Sequence, residues 1–344
     1  MTWEELDWNA LERLRTRFLA GPGPEPYWRA RSDLASYDLT FGERIGWKWD
    51  HVRRELRQRC WSPRGRAVLD WGCGSGVAGR RLLRHFGPEA FRSLTVWDHS
   101  PLAIDFAVES ARREFPALEV QPAGASFLAG DEPIGILVVS HVLNELDPAA
   151  WTELGRLIAR AEAVLWVEPG TREVSRRLGA ERERWRDRFR LVAPCPVATP
   201  CPMFSPGQER HWCHFFAPPP AEIFADSRWV RFGQRAGLDL RSLPYCFLAL
   251  DRQASANTAD PSRVIGRVEH FKPYARLLNC SAAGLEELEI PRREAAVLYK
   301  ELERQRGPLV YRWRRDGNRI LAGEALITPG GVPASAPAAP SPGS

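Results

Sequence analysis

Between Ala67 and Glu168 the chain alternates short apolar runs with amphipathic stretches, and that rhythm admits few folds. Ala67-Val68-Leu69-Asp70-Trp71, Leu94-Thr95-Val96-Trp97-Asp98, Ile134 to Ser140 and Ala163-Val164-Leu165-Trp166-Val167-Glu168 read as strands. Helices over Val77 to Phe86, Leu102 to Phe115 and Pro148 to Ala161 separate them. Apolar runs with little polar alternation mark strands covered on both faces, and a helix between successive strands is the crossover that a parallel sheet needs. The sequence thus predicts an α/β domain with a parallel sheet, over residues 61–252.

The flanking segments differ in character. Residues 1–60 read as an N-terminal helical region: Trp3, Leu6, Trp8, Leu11 and Leu14 are helically spaced, Gly21-Pro22-Gly23-Pro24 breaks the run, and a second helix covers Phe41 to Arg59. After Thr171 the rhythm stops. Arg172 to Arg190 is a highly charged helix candidate, and 191–220 is a Pro-rich loop carrying three cysteines, so 171–220 forms an insertion. Helix Ala221 to Ala236 and strand Leu243 to Leu250 follow, then a polar linker over 253–260. Residues 262–328 form a small α+β segment, with strands Tyr274 to Leu278, Leu309 to Trp313 and Arg319 to Leu326 and a helix near Pro291 to Gln305. The Pro/Ala/Ser/Gly-rich residues 329–344 are expected to be a disordered tail.

Composition narrows the class. No run reaches the roughly 18 apolar residues of a membrane helix. The first residues, Met1-Thr2-Trp3-Glu4-Glu5-Leu6-Asp7, are acidic, unlike a signal or transit peptide, so the expected setting is cytoplasmic, with no membrane partner. Seven cysteines in that setting point to metal, redox or plain burial, not to a disulfide framework. The net charge of +5 comes almost wholly from arginine, since Lys48, Lys272 and Lys300 are the only lysines. Arginine forks onto phosphate and stacks on bases, which permits an RNA partner.

Leu69-Asp70-Trp71-Gly72-Cys73-Gly74-Ser75-Gly76 follows a strand and opens a helix. Glycines there allow a tight turn and close approach of a ligand to a helix N-terminus. Gly74-Ser75-Gly76-Val77-Ala78-Gly79 also fits the dinucleotide pattern G-x-G-x-x-G. The acid two places before Gly72 instead resembles motif I of class I methyltransferases that use S-adenosylmethionine (SAM). That resemblance implies a Rossmann-like sheet, with Asp70 positioning the methionine amino group and Gly72, Gly74 and Gly76 accommodating the nucleoside. Asp98, at the end of the next strand, supports nucleoside binding under either reading, because a carboxylate can accept both hydrogen bonds of a ribose diol. Near the adenine position, Val120 to Ser126 offers no acid, which leaves backbone groups and Ser126. After the fourth strand come Ser140-His141-Val142-Leu143-Asn144-Glu145. His141 or Glu145 could serve as a base; the favoured reading is that Asn144 and Glu145 begin or cap the next helix and His141 lines the pocket.

Cys195, Cys201 and Cys213 sit among prolines that keep the backbone out of helix, with five residues between the first two and eleven between the last two. The spacing is neither a zinc ribbon nor a bacterial ferredoxin run. It leaves open a metal or cluster site and separate buried thiols. For a fourth ligand, Cys246, Cys280, His211 and His214 are available. Cys246 lies in an apolar strand, where burial accounts for it, whereas Cys280 ends a strand beside the turn Ser281-Ala282-Ala283-Gly284.

Three elements together carry a more specific resemblance: Val167-Glu168-Pro169-Gly170-Thr171, the pair Ala193-Pro194-Cys195-Pro196 and Cys201-Pro202, and Trp212-Cys213-His214-Phe215. With Leu278-Asn279-Cys280-Ser281-Ala282-Ala283-Gly284 they make the chain resemble, over roughly 60–315, the methyltransferase-like family of mitochondrial small-ribosomal-subunit assembly proteins and their bacterial homologues. The resemblance implies a [4Fe–4S] cluster held by Cys195, Cys201, Cys213 and Cys280, with the small ribosomal subunit and its rRNA as partners. Members commonly carry a Lys-rich C-terminal segment; here 285–300 is mixed and locally acidic. Arg172 to Arg190 is the alternative RNA-facing element, or else a solvated helix with internal pairs to Glu181 and Glu183. The expected function is a SAM-binding, iron–sulfur-containing methyltransferase-like protein acting on the small subunit by rRNA methylation, assembly or both. The alternatives are a non-catalytic assembly factor and a zinc-stabilised small-molecule methyltransferase.

Overall fold

A computed structural model describes residues 1–20, 27–254, 261–304 and 309–326. Most of the expected linker and all of the expected tail at 329–344 lie outside the described residues. The chain opens with α1 (Trp8–Ala20) and α2 (Arg31–Tyr37), which runs through a π turn at Asp38–Gly42 into α3 (Glu43–Gln58). Then follow β1 (Ala67–Trp71), α4 (Val77–Phe86), β2 (Ser93–Trp97), α5 (Pro101–Glu114), β3 (Glu119–Pro122), α6 (Ala125–Ala129), β4 (Ile134–Ser140), α7 (Pro148–Arg160), β5 (Ala161–Pro169) and α8 (Arg172–Trp185). The sheet is completed by β6 (Arg190–Ala193), β7 (Phe215–Ala217), α9 (Ser227–Ala236) and β8 (Leu243–Asp251). The C-terminal part holds β9 (Ser262–His270), β10 (Tyr274–Ser281), β11 (Gly284–Pro291), α10 (Ala296–Arg304), β12 (Val310–Asp316) and β13 (Arg319–Ala325).

The strand order is β3-β2-β1-β4-β5-β8-β6, with β7 also pairing to β8. The strands β1 to β5 run parallel and β8 antiparallel to β5. This is the Rossmann-like sheet of class I methyltransferases. Its order reverses between β1 and β4, and ligands of such sheets bind at that switch point, outside the carboxyl ends of the strands. One face of the sheet packs Val68, Val96 and Leu165 against α3 to α5, and the other packs Leu69, Leu137, Val139 and Trp166 against α7 and α8. Burial on both faces is why these strands read as unbroken apolar runs. The helices begin where caps allow. Gly76 turns left-handed ahead of α4, Asp147 Oδ1 accepts from Ala150 N ahead of α7, and Thr171 Oγ1 from Val174 N ahead of α8.

The expected loop at 191–220 is partly sheet. β6 and β7 both hydrogen-bond to β8, which anchors the insertion at two points. The charged helix ends at Trp185, five residues short of the expected Arg190, because 190–193 joins the sheet. In the C-terminal segment, five strands close into a barrel in the order β10-β11-β13-β12-β9, with α10 between the third and fourth strands. That is the arrangement of an OB-type barrel. No helix among the described residues is long and apolar enough to cross a membrane.

Candidate functional site

The loop after β1 is the centre of the site. Gly72 and Gly76 have φ of 68° and 76°, and a Cβ at those positions would stand 2.6 Å from Val142 Cγ1 and 2.9 Å from Ala107 Cβ. Both the left-handed backbone and the close neighbours therefore require glycine. Asp98, just past β2, braces this loop: Oδ2 accepts from Gly74 N at 2.9 Å and Oδ1 from Ser100 N at 2.9 Å. Burial pushes its carboxyl up, while His99 beside it pulls the other way.

Asp70 is fully buried at the end of β1. Its Oδ2 accepts from Gly79 N at 2.9 Å, but Oδ1 has no hydrogen-bond partner among the described residues. Burial raises the carboxyl to about 7. An unsatisfied buried carboxylate oxygen is costly and rare in native structures, so this atom fits an external cation or donor.

The loop after β4 forms the opposite wall. His141 adopts a left-handed backbone, φ 58°, uncommon for a residue with a side chain. Its Nε2 lies 3.1 Å from Lys48 Nζ, and its Nδ1 3.1 Å from Ser140 Oγ, which accepts from Trp49 Nε1 at 2.9 Å. Burial, reinforced by Arg44, lowers the Lys48 ammonium to about 7, and burial followed by the Lys48 charge holds His141 well below its usual value. The two meet as a neutral imidazole beside an amine that titrates near neutrality. Glu168 sits beneath them, accepting from Trp166 Nε1 at 2.8 Å and from Val142 N and Leu143 N at 3.1 and 3.3 Å. It thereby fixes the backbone immediately after His141. Glu145 stands at the exposed rim; desolvation, then the charge of Asp98, push its carboxyl up to about 7.

Aromatic residues of the N-terminal region roof this space. Trp28 reaches to within 4.0 Å of the Cβ position of Gly74 and stacks edge-on with Tyr27 and Tyr37. Burial, then the Glu145 charge, raise both tyrosines. Sequence reasoning did not anticipate this roof, nor Lys48, whose contact with His141 spans 93 residues. Its rarity as one of three lysines was the available signal.

The cysteines form a second constellation. Cys195 follows β6, Cys201 opens a 3₁₀ turn, Cys213 precedes β7 and Cys280 lies near the end of β10. The four thiols act on one another electrostatically. Burial and then the Cys195 charge push Cys201 up to about 11; Cys213 is raised by burial and then by Cys195, Cys201 and Cys280; Cys280 goes up to about 12 through burial, then Cys195 and Cys201. Opposing them, Arg182 stabilises the thiolates of Cys201 and Cys280, and Arg263 those of Cys213 and Cys280. Cys246 is elsewhere, donating to Pro169 O at 3.4 Å. Neither His211 nor His214 joins the thiols in a tight ion site: among the described residues no group of three or more His, Cys, Asp or Glu is placed to hold a metal ion.

Arginines hold the irregular backbone around these thiols. Arg176 donates to the carbonyls of Met203, Gln208 and His211, Arg172 to Glu209 O, Arg182 to Val197 O and Arg59 to Pro194 O. Backbone acceptors that no ladder satisfies are thus met by side chains. The barrel turns strands β10 and β11 onto this loop: Cys280, Leu278 and Leu285 pack into the main core, and Arg210 pairs with Glu287 at 3.0 Å. In OB-type barrels that strand pair ordinarily faces a ligand; here much of it faces the chain's own insertion.

A family model described as mitochondrial small ribosomal subunit Rsm22 matches residues 49–304. No curated protein matches the chain. Among solved structures, magnesium protoporphyrin IX methyltransferase from Synechocystis PCC 6803, crystallised with bound SAH, is similar at 13% identity over 72% of this chain and 96% of that one, with a TM-score of 0.39. An O-methyltransferase family protein from Burkholderia thailandensis is similar at 17% identity over 74% of this chain and 71% of that one, also with a TM-score of 0.39. At that TM-score neither adds to what the strand order establishes.

Proposed function

The chain belongs to the mitochondrial small ribosomal subunit Rsm22 family, and from that premise we propose that it is a SAM-binding, iron–sulfur-containing methyltransferase-like protein that acts on the rRNA of the small subunit. The observation that carries the SAM reading is Asp70 Oδ1, buried and without a partner at the switch point of the sheet. It would take the ammonium of the methionine moiety. Asp98 would take the ribose hydroxyls: among the described residues Oδ2 accepts only from Gly74 N and keeps a lone pair, while Oδ1 accepts from Ser100 N and lies 3.2 Å from His99 Nδ1. Gly72, Gly74 and Gly76 would let the cofactor approach the backbone. SAM supplies an electrophilic methyl group, so the chain's own task is to orient the acceptor beside it and exclude water. His141 and Glu145 stand at the carboxyl edge of β4, where an acceptor proton would leave.

Labelled SAM incubated with purified immature small subunits and the full chain tests the enzymatic reading. Incorporation into rRNA is expected; none into immature or mature particles would overturn it. A second reading, a non-catalytic assembly factor on the same fold, is favoured by one observation: both ring nitrogens of His141 are already engaged, by Lys48 and Ser140.

Two further outcomes follow for the cofactor. Asp98→Ala is expected to weaken SAM binding by tenfold or more, the roughly 1.5–3 kcal/mol of hydrogen bonds to a charged group, as read by calorimetry. Binding is also expected to depend on pH. Below about 7 the Asp70 carboxyl holds a proton that the ligand's ammonium must displace. Affinity should therefore fall as pH drops from 8 to 6, by up to about tenfold per unit below the pKa, and Asp70→Asn should flatten the profile.

For the cysteine site, we propose a [4Fe–4S] cluster on Cys195, Cys201, Cys213 and Cys280. Four mutually coupled thiols whose thiolate forms Arg182 and Arg263 favour suit the thiolate set and net charge of such a cluster. Among the described residues no group of three or more His, Cys, Asp or Glu is placed to hold a single metal ion, zinc included. The cluster would supply a cross-link between the insertion and the barrel.

A further inference from the structure

The arginines of α8 divide into two sets. Arg172, Arg176 and Arg182 turn inward onto loop carbonyls, as described above. Arg177 and Arg184, with Arg188 in the following turn, face α7 instead. The guanidinium of Arg177 lies 5.5 Å from the Trp151 ring centre, and those of Arg184 and Arg188 lie 5.3 and 5.7 Å from that of Trp185. Between the two helices runs an open groove of about 390 Å³, whose lining includes Trp151, Gly155, Arg156, Arg184, Trp185 and Arg188 and no acidic residue.

The charge in this groove is not neutralised from within. Among the described residues, no ion pair to a carboxylate is formed by Arg156, Arg177 or Arg188. The Arg184 contact to Glu181 is long, 3.7 Å, and Glu181 also accepts from Trp185 Nε1 at 2.9 Å. Asp187, adjacent in sequence, is directed to solvent at 84% exposure. Guanidinium groups laid against indole rings have their planes fixed while their N–H edges remain available, a preorganised fork for phosphate. Gly155 keeps the floor open: a Cβ there would meet only Arg184 Nη2, at 3.6 Å.

We infer that the α7–α8 groove binds a short single-stranded stretch of RNA, with phosphates on Arg156, Arg184 and Arg188 and a base against half-buried Trp151. The inference rests on the proposal that the chain acts on the small subunit's RNA, and it locates the contact. The groove's volume of about 390 Å³ is on the scale of a small-ligand site, which suits a few nucleotides of a single strand and not a duplex. An acidic peptide could also take the guanidinium fork, but it offers no base to lie against Trp151.

The test uses the full chain and a labelled oligouridine, with affinity measured by anisotropy across a salt series. Each phosphate contact on a single strand contributes about 0.7 to the log–log salt slope. The triple variant R156A/R184A/R188A should therefore bind roughly a hundredfold more weakly, with a slope shallower by about two, while SAM affinity is unchanged. Gly155→Glu places a carboxylate in the groove without removing any cation and should have the same direction of effect, which guards against a folding failure of the triple variant. If the native chain binds oligouridine and small subunits but neither variant alters affinity or slope, the groove assignment is wrong and the proposed function stands. If the native chain binds neither, both fall. Displacement of the RNA by polyglutamate at equal charge concentration would overturn the choice of RNA as occupant.

Discussion

Glu55→Ala is expected to cost about 3–5 kcal/mol of folding stability, the range for removing one partner of a buried ion pair. Glu55 on α3 is inaccessible to solvent and pairs with two arginines. Arg263 of β9, itself 1% exposed, donates to both carboxylate oxygens, the Nη2–Oε2 contact being 3.0 Å, and Arg59 approaches Oε1 at 2.9 Å. Burial alone would raise the Glu55 carboxyl, but the two guanidiniums outweigh it and hold the group below its usual range. A carboxyl with a depressed folded-state pKa contributes stability that is present above its unfolded value, about 4.3, and is lost as pH falls through the still lower folded value. At neutral pH the contribution is complete. Removing the carboxylate strands two cations: Arg263, whose guanidinium otherwise lies 4.1 Å from the centre of the Phe215 ring, and Arg59, which also holds Pro194 O. The loss should appear in urea unfolding as a shifted midpoint. Because the pair joins α3 to the barrel, amide exchange should accelerate first in β9 and β10. A shift below about 1 kcal/mol would show that water or rearrangement replaces the pair.

How much of this could be read from the chain depended on which forces shaped each segment. Strands β1 and β4 were legible because the sheet is covered on both faces, so Val68-Leu69 and Ile136 to Val139 had to be apolar throughout. The glycine loop was legible because left-handed backbone leaves few choices of residue. The barrel was not. Strand β11 reads Gly-Leu-Glu-Glu-Leu-Glu-Ile-Pro, and only Leu288 and Ile290 are buried in the barrel core, too sparse a signal against three glutamates of low β propensity. Strand β9 is interrupted by Gly266, whose φ of 71° lets it pass His214. The arginine-rich helix shows the same limit from the other side. Eight arginines were evident between residues 172 and 190, but which of them face the loop and which the α7 groove is decided by carbonyls 15 or more residues away or by Trp151 on another helix. The spacing of the cysteines left the fourth ligand open and only the family resemblance proposed Cys280; what carries Cys280 into the main core is the barrel, through the packing of β10.

That dependence makes Cys280→Ser the most informative change at the thiol site. The native chain, purified without oxygen, is expected to be brown and to contain iron and acid-labile sulfide in equal amounts. Cys280→Ser should lose most of both, since a hydroxyl is a poor substitute for a thiolate ligand to iron. Cys246→Ser should keep them, because Cys246 is spent on Pro169 O within β8 and lies outside the group. SAM affinity should survive in both variants, as Asp70, Asp98 and the glycine loop lie at β1 and β2, with β4 and β5 between them and the β8–β7 pair that meets the barrel. The loss would also be structural. Cys280 is the one member of the group supplied by the barrel, so without it the remaining three thiols tie the insertion only to itself. Metal binding to a preformed site is folding free energy, and Cys280→Ser should therefore bring the thermal unfolding of the native chain down to that of the chain stripped of iron. A colourless anaerobic preparation with stoichiometric zinc, or iron retained at full level in Cys280→Ser, would remove the cluster from this site, leaving the barrel held by polar contacts such as Glu55–Arg263 to α3 and Gly266 N to His214 O.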